Sequence, residues 1–132
     1  MVTVAASGYF DPIHKGHIEY LKMARALGDE LIVILNSDVQ CKIKKGKSFM
    51  DENERKIILE SIRYVDKVFL SCDEDGSVCK SLSVVKPDIF AKGGDRFSTE
   101  IPEKEICDKL NIVIMDGLGN KIQSSSNLTG LK

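Results

Sequence analysis

Apolar residues along this chain fall into short stretches of two kinds that alternate. Val2 to Ser7 is compact, β-branched at Val2, Thr3 and Val4, and stops at Gly8, as a buried strand does. Over residues 17–27, Ile18, Leu21, Ala24 or Arg25, and Leu27 recur at the spacing of one helical face, and Gly28 follows where a helix C-cap glycine belongs. Glu30 to Leu35 is then nearly continuous in apolar residues, the pattern of a parallel strand covered on both faces.

The alternation continues. Asp51 or Glu52 opens a helix through Ile57, Ile58 and Ile62, and Val65–Leu70 reads as a strand. Ser77–Val85 is a helix and Asp88–Ala91 a short strand after Pro87. Pro102 sits near the start of a helix ending near Leu110, and Asn111–Met115 is the last strand. Five strands alternating with four helices predict an α/β fold: a Rossmann-like, doubly wound five-stranded parallel sheet with helices on both faces. The 132 residues fit a single domain over 1–132, without internal repeat or linker. Ligands of such sheets bind beyond the carboxyl ends of the strands, where strand order reverses. Loops 8–17, 92–96 and 117–126 follow strands, and all three are expected on that rim.

Composition narrows the function. A net charge of −1 gives no sequence-wide basic field for nucleic acid or an acidic membrane, so neither is expected as a partner. Cys41, Cys72, Cys79 and Cys107 form no C-x-x-C pair and no zinc-ligand spacing with the histidines; reduced thiols in a cytoplasmic protein are expected. The start of the chain lacks a basic segment and a long apolar core, so no signal peptide is read.

The candidate chemistry lies in loop 8–17, "GYFDPIHKGH". It holds both histidines of the chain, three apart around Gly16, at the expected mouth of the first helix. Gly8 turns the chain steeply out of the strand, and Gly16 opens a helix whose amino end offers unpaired N–H donors and partial positive charge. Two imidazoles converging there suit a phosphate, because each can donate a hydrogen bond. The alternative is that the histidines only brace the loop. A metal site is not expected, since no Cys, Asp or Glu completes a ligand set, and the loop is neither a P-loop nor a G-x-G-x-x-G fingerprint.

"GYFDPIHKGHIEYL", "ARALGDELIVILNSD", "ERKIILESIRYVDKV", "PDIFAKGGDR" and "KIQSSSNL" together resemble, in order and over essentially the whole chain, the cytidylyltransferase-like nucleotidyltransferases with their H-x-G-H signature. Length and motifs lie nearest the glycerol-3-phosphate cytidylyltransferases and the heptose-phosphate adenylyltransferase domains. The resemblance implies transfer of CMP or AMP from CTP or ATP to the phosphate of a small sugar or polyol phosphate, with release of pyrophosphate. The Mg²⁺ is carried by the nucleotide, and a homodimer is implied. The alternatives are a nicotinamide or flavin mononucleotide adenylyltransferase, or a non-catalytic nucleotide-binding module.

The resemblance also implies site residues. His14 and His17, with Lys44 from a flexible lysine segment laid over the phosphates, are the catalytic candidates. Gly8, Tyr9, Phe10, Gly16, Gly94, Asp95, Lys121, Ser124, Ser125 and Ser126 are the nucleotide-binding candidates. Asp11, Arg55 and Arg63 are candidates for the acceptor. Lys121 stands where the glycerol-phosphate enzymes carry the arginine of R-T-x-G, and a lysine lacks that residue's bidentate fork.

Overall fold

The structure, a computed structural model, describes residues 1–93 and 102–118. Five strands pair in parallel in the order β3-β2-β1-β4-β5. They are β1 (Thr3–Gly8), β2 (Glu30–Leu35), β3 (Lys67–Leu70), β4 (Ile89–Gly93) and β5 (Val113–Leu118). The helices between them are α1 (Lys15–Arg25), α2 (Asp38–Lys45), α3 (Glu52–Glu60), α4 (Cys79–Val85) and α5 (Lys104–Leu110). The predicted α/β sheet is present with all five expected strands.

Alternation along the strands builds two cores. Val4 and Ala6 of β1, with Leu31, Val33 and Leu35 of β2, face Tyr20, Leu21 and Ala24 of α1 and Leu59 of α3. Ala5 and Ile34 point the other way, onto Val78, Leu82 and Cys107 of the α4–α5 layer. Because α1 and α3 cover one face and α4 and α5 the other, the chain changes layer between β1 and β4. Those two strands are direct neighbours, paired from Val4 opposite Ile89 to Ala6 opposite Ala91. The crevice above their carboxyl ends is the topological switch point.

The two edges of the sheet differ chemically. At the amino edge, Asp29 accepts the Val2 N–H at 2.7 Å, Asp88 that of Thr3 at 2.8 Å and Asp66 that of Leu31 at 2.8 Å. These carboxylates satisfy backbone donors that the strand ladders leave over. At the carboxyl edge the loops open, and there Asp11 and Asp73 take backbone N–H groups of the loops and of α4.

Two expectations are corrected. Gly28 is not a helix cap: α1 ends at Arg25 with Ala26 as its C-cap. Glycine is needed there because a Cβ would lie 2.8 Å from the Val2 carbonyl oxygen and 2.8 Å from a Val4 methyl. The lysine segment is not a flexible loop either, since residues 38–45 form α2, a fifth helix. Its capping box pairs the Ser37 hydroxyl with the Gln40 N–H and the Gln40 side chain with the Ser37 N–H.

Substituting Gly28→Ala should cost about 1–3 kcal/mol, the usual price of forcing an atom into a packed site. Urea unfolding of the variant against the parent measures it, and a loss well under 0.5 kcal/mol, about the scatter of ordinary surface changes, would contradict this close approach.

Candidate active site

A cavity of about 850 Å³ opens over the switch point, lined from β1 and its following loop, α1, α2, the segment before α4, the end of β4 and the start of α5. Tyr20 defines its floor. The hydroxyl accepts the Ser7 N–H at 3.2 Å and donates to the Ala91 carbonyl at 2.6 Å, so it joins β1 to β4 just where the strands part. Burial raises its pKa far above the ordinary phenol value, which keeps it a donor.

The paired histidines stand at the mouth of α1, ring centroids 3.9 Å apart and 27° from parallel. His14 is the N-cap: its Nδ1 accepts the Gly16 N–H at 3.1 Å. His17 returns the arrangement, its Nδ1 accepting the His14 N–H at 3.1 Å. Two imidazoles thus form a reciprocal cap in the positions where a Ser and a Glu commonly do so. The expectation of bare amides at this helix tip is corrected, because Gly16 N–H is already spent on His14. What the tip offers instead follows from the tautomer: each ring accepts at Nδ1, so in its neutral form it carries its proton on Nε2. Two Nε2–H donors therefore remain for a ligand. Gly16 permits the fold-back, since a Cβ there would lie 3.0 Å from the His14 ring.

Burial, and then the charge of His14, lower the pKa of His17 to about 4, so it is neutral at pH 7. Phe10 supports it from below. This residue is 2 % exposed, its backbone sits in the left-handed region at φ 50°, and its ring meets His17 edge-on at 4.9 Å. A bulky residue held there is strained, and such strain concentrates at functional sites.

Gly8, Tyr9, Phe10, Asp11, His14, Gly16, His17 and Lys44, all expected on the site, line the cavity. Lys44 is carried by the last turn of α2, with Nζ 4.5 Å over the Tyr9 ring. Asp11 lines the wall, but its carboxylate accepts the Phe49 N–H at 2.7 Å and the Met50 N–H at 2.6 Å, which ties down the chain before α3. Gly94, Asp95, Lys121, Ser124, Ser125 and Ser126 lie outside the described residues.

Neither arginine is among the residues that line the cavity. Arg55 is 1 % exposed and buried beneath the rim. Its Nη1 donates to the Tyr9 and Asn36 carbonyls at 2.7 and 2.8 Å, its Nε to Met50 at 3.0 Å, and its Nη2 to Asp38 at 2.7 Å. Burial pushes the Asp38 carboxyl up, but hydrogen bonds from Ser48 and Arg55 outweigh it and hold the carboxyl below its ordinary value. Arg63 follows the end of α3 and precedes β3, which puts it at the amino edge of the parallel sheet, opposite the cavity. There its guanidinium lies 5.8 Å from the Tyr64 ring centroid. Residues that sequence reasoning passed over also line the wall, Tyr20, Ile43, Val78 and Glu103, with Lys92 from the loop expected on the rim.

Among the described residues no group of three or more His, Cys, Asp or Glu is placed to hold a metal ion, and no helix is long and apolar enough to cross a membrane. All four cysteines are free thiols.

The family model for cytidylyltransferase-like proteins matches residues 5–126. The chain is 38% identical over 114 residues to the FAD synthase of Aciduliprofundum boonei, covering 86% of this chain and 75% of that one. It is 39% identical over 112 residues to the bifunctional protein HldE of Helicobacter pylori, covering 83% of this chain but only 24% of that longer one. Among solved structures, the lipopolysaccharide core biosynthesis protein of Thermoplasma volcanium superposes with a TM-score of 0.75 at 35% identity, covering 88% of this chain and 95% of that one.

Two outcomes are expected. Arg55→Met leaves three carbonyls and Asp38 without their donor and should destabilise the fold by about 3 kcal/mol or more, measured by denaturant unfolding. The lowered pKa of His17 means that the unfolded chain binds more protons than the folded one between about pH 4 and 6.5. Stability therefore falls as pH drops through that window, and His17→Asn, which removes the titrating group, should flatten this part of the pH–stability profile.

Proposed function

The chain belongs to the cytidylyltransferase-like family and is a nucleotidyltransferase; from that premise we propose that it transfers the adenylyl group of ATP to the phosphate of FMN, forming FAD and releasing pyrophosphate. A phosphate oxygen of the acceptor attacks the α-phosphorus of MgATP, the bond from that phosphorus to the oxygen bridging the β-phosphate breaks, and pyrophosphate leaves with the electron pair. No covalent enzyme intermediate is needed.

The protein's work is to align two anions and to offset the charge that accumulates as they react. The Nε2–H groups of His14 and His17 donate to the phosphate oxygens. His17, its pKa lowered by burial, donates as a neutral ring at pH 7, and a bound phosphate strengthens such donors. Lys44 leaves or tilts from the Tyr9 ring to meet the same oxygens, and Lys92 supports the opposite wall. Arg55 and Asp11 act through the backbone, fixing the loop that carries Tyr9 and Phe10.

The observation that carries the choice of acceptor is the apolar part of the cavity's lining. Tyr9, Ile43, Val78 and Pro102 contribute apolar lining to a space of about 850 Å³, toward the upper part of the size range of small-molecule sites. A flat heteroaromatic ring suits such a wall. The likeness to proteins named FAD synthase supports the same choice over matching stretches that cover three-quarters or more of two such relatives. A second reading, adenylyl or cytidylyl transfer to a sugar phosphate, draws support from the likeness to HldE and to the lipopolysaccharide core protein.

Product analysis by liquid chromatography and mass spectrometry, with MgATP or MgCTP against FMN and a panel of sugar and polyol phosphates, tests the proposal. FAD from MgATP and FMN is the expected product; a nucleotide sugar with no FAD would establish the second reading. His14→Ala and His17→Ala should each lower kcat by roughly 10²- to 10³-fold, the scale of one lost charge-stabilising donor.

A further inference from the structure

In the wall of the cavity stands a carboxylate that the transfer chemistry does not use. Glu103 immediately precedes α5, is 4 % exposed, and lines the cavity beside Gly76, Val78 and Pro102. Its Oε2 accepts the Val78 N–H at 2.9 Å, at the amino end of α4. Among the described residues its Oε1 takes no hydrogen bond. A carboxylate oxygen enclosed in a cavity wall without a donor is costly, and the cost is recovered when a ligand brings one.

The rest of α4's amino end is already satisfied. Asp73 accepts the Lys80 N–H at 2.7 Å and the Ser81 N–H at 2.9 Å, and the Ser77 hydroxyl takes the Cys79 N–H at 3.4 Å. Glu103 is thus not needed to neutralise a bare helix tip beyond its one bond to Val78. Its charge also reaches across the cavity, adding to burial and the charges of Cys41 and Asp75 in raising the Tyr9 phenol.

Charge sorts the parts of a ligand within the cavity. Phosphates are drawn to the imidazole donors, Lys44 and Lys92, and are repelled by Glu103. The ligand portion that reaches Glu103 is therefore uncharged, and it must present an N–H or O–H. Beside the apolar Val78 and Pro102, the carboxylate is a polar group that can fix its orientation.

We propose that Glu103 is the specificity-determining residue for the acceptor: its free oxygen accepts a hydrogen bond from the donor at the acceptor's uncharged end, which in FMN is the imide N3–H of the flavin ring. This rests on the reading of FMN as acceptor. It gives the site a means to reject mononucleotides of similar size whose far end carries only acceptors, because two facing acceptors cost more than a missing contact.

The test is Glu103→Gln. The Val78 N–H still requires an oxygen, so the amide turns its NH2 into the cavity and an acceptor becomes a donor with little change in shape. FMN binding is followed by quenching of flavin fluorescence in the presence of a non-hydrolysable ATP analogue, and binding of that analogue alone by calorimetry. The expected result is FMN binding weakened by roughly 10- to 100-fold, the range for a lost hydrogen bond to a charged group, with analogue binding unchanged. That unchanged binding also shows the variant to be folded. FMN methylated at N3 should bind the unaltered protein as weakly as FMN binds the variant, a comparison that needs no mutant.

Weakened analogue binding with intact FMN binding would place Glu103 at the nucleotide base and overturn the proposal, as would no change in either. If the unaltered protein makes no FAD, the reading of the acceptor fails and this inference falls with it. That outcome is distinct from an enzyme that makes FAD with an indifferent Glu103.

Discussion

The carboxyl edge of a parallel sheet leaves carbonyls without strand partners just where a ligand needs room, and in this chain one guanidinium resolves that conflict. Arg55, from the first half of α3, donates to the carbonyls of Tyr9 beyond β1, Asn36 beyond β2 and Met50 before α3, and pairs with Asp38 at the start of α2. Two strand ends and two helix starts are thus held to a single planar group. An arginine is suited to this because its donors diverge in a fixed fork and stay protonated when buried. With the carbonyls satisfied from beneath, the upper surface of the loop from Tyr9 to Pro12 is free to shape the cavity.

The strands were legible because each is a short apolar run ended by a turn residue, and burial on both faces makes such runs continuous. Helix α2 was not, although its capping box, Ser37 with Gln40, is plain in the sequence. Its apolar residues Val39 and Ile43 stay exposed while Cys41 is buried beside the polar Gln40, so it lacks the apolar stripe that marks a packed helix. The lysine run dominated the reading instead. Gly28 invited a cap assignment because its true constraint, the Val2 backbone lying against it, comes from the adjoining strand.

The site divides in the same way. His14 and His17 were legible because the reciprocal cap is local, closing over three residues. Arg55, Tyr20 and Glu103 act on partners 46, 71 and 25 residues away, and nothing in their own neighbourhoods signals it. Arg63 is a different case. In a parallel sheet, whatever lies between a helix's end and the next strand's start falls on the amino edge, so strand direction alone argues against a place in the site.

The reciprocal histidine cap has an evolutionary consequence. The same two rings close the first turn of α1 and present the donors turned toward the cavity, so stability and chemistry are written into one pair of side chains. A lineage that lost its need for the reaction could not shed either imidazole neutrally, because the helix would fray with it. Descendants repurposed for other tasks would therefore keep the motif long after turnover had ceased, and the motif's persistence in a sequence records helix integrity as much as it does activity.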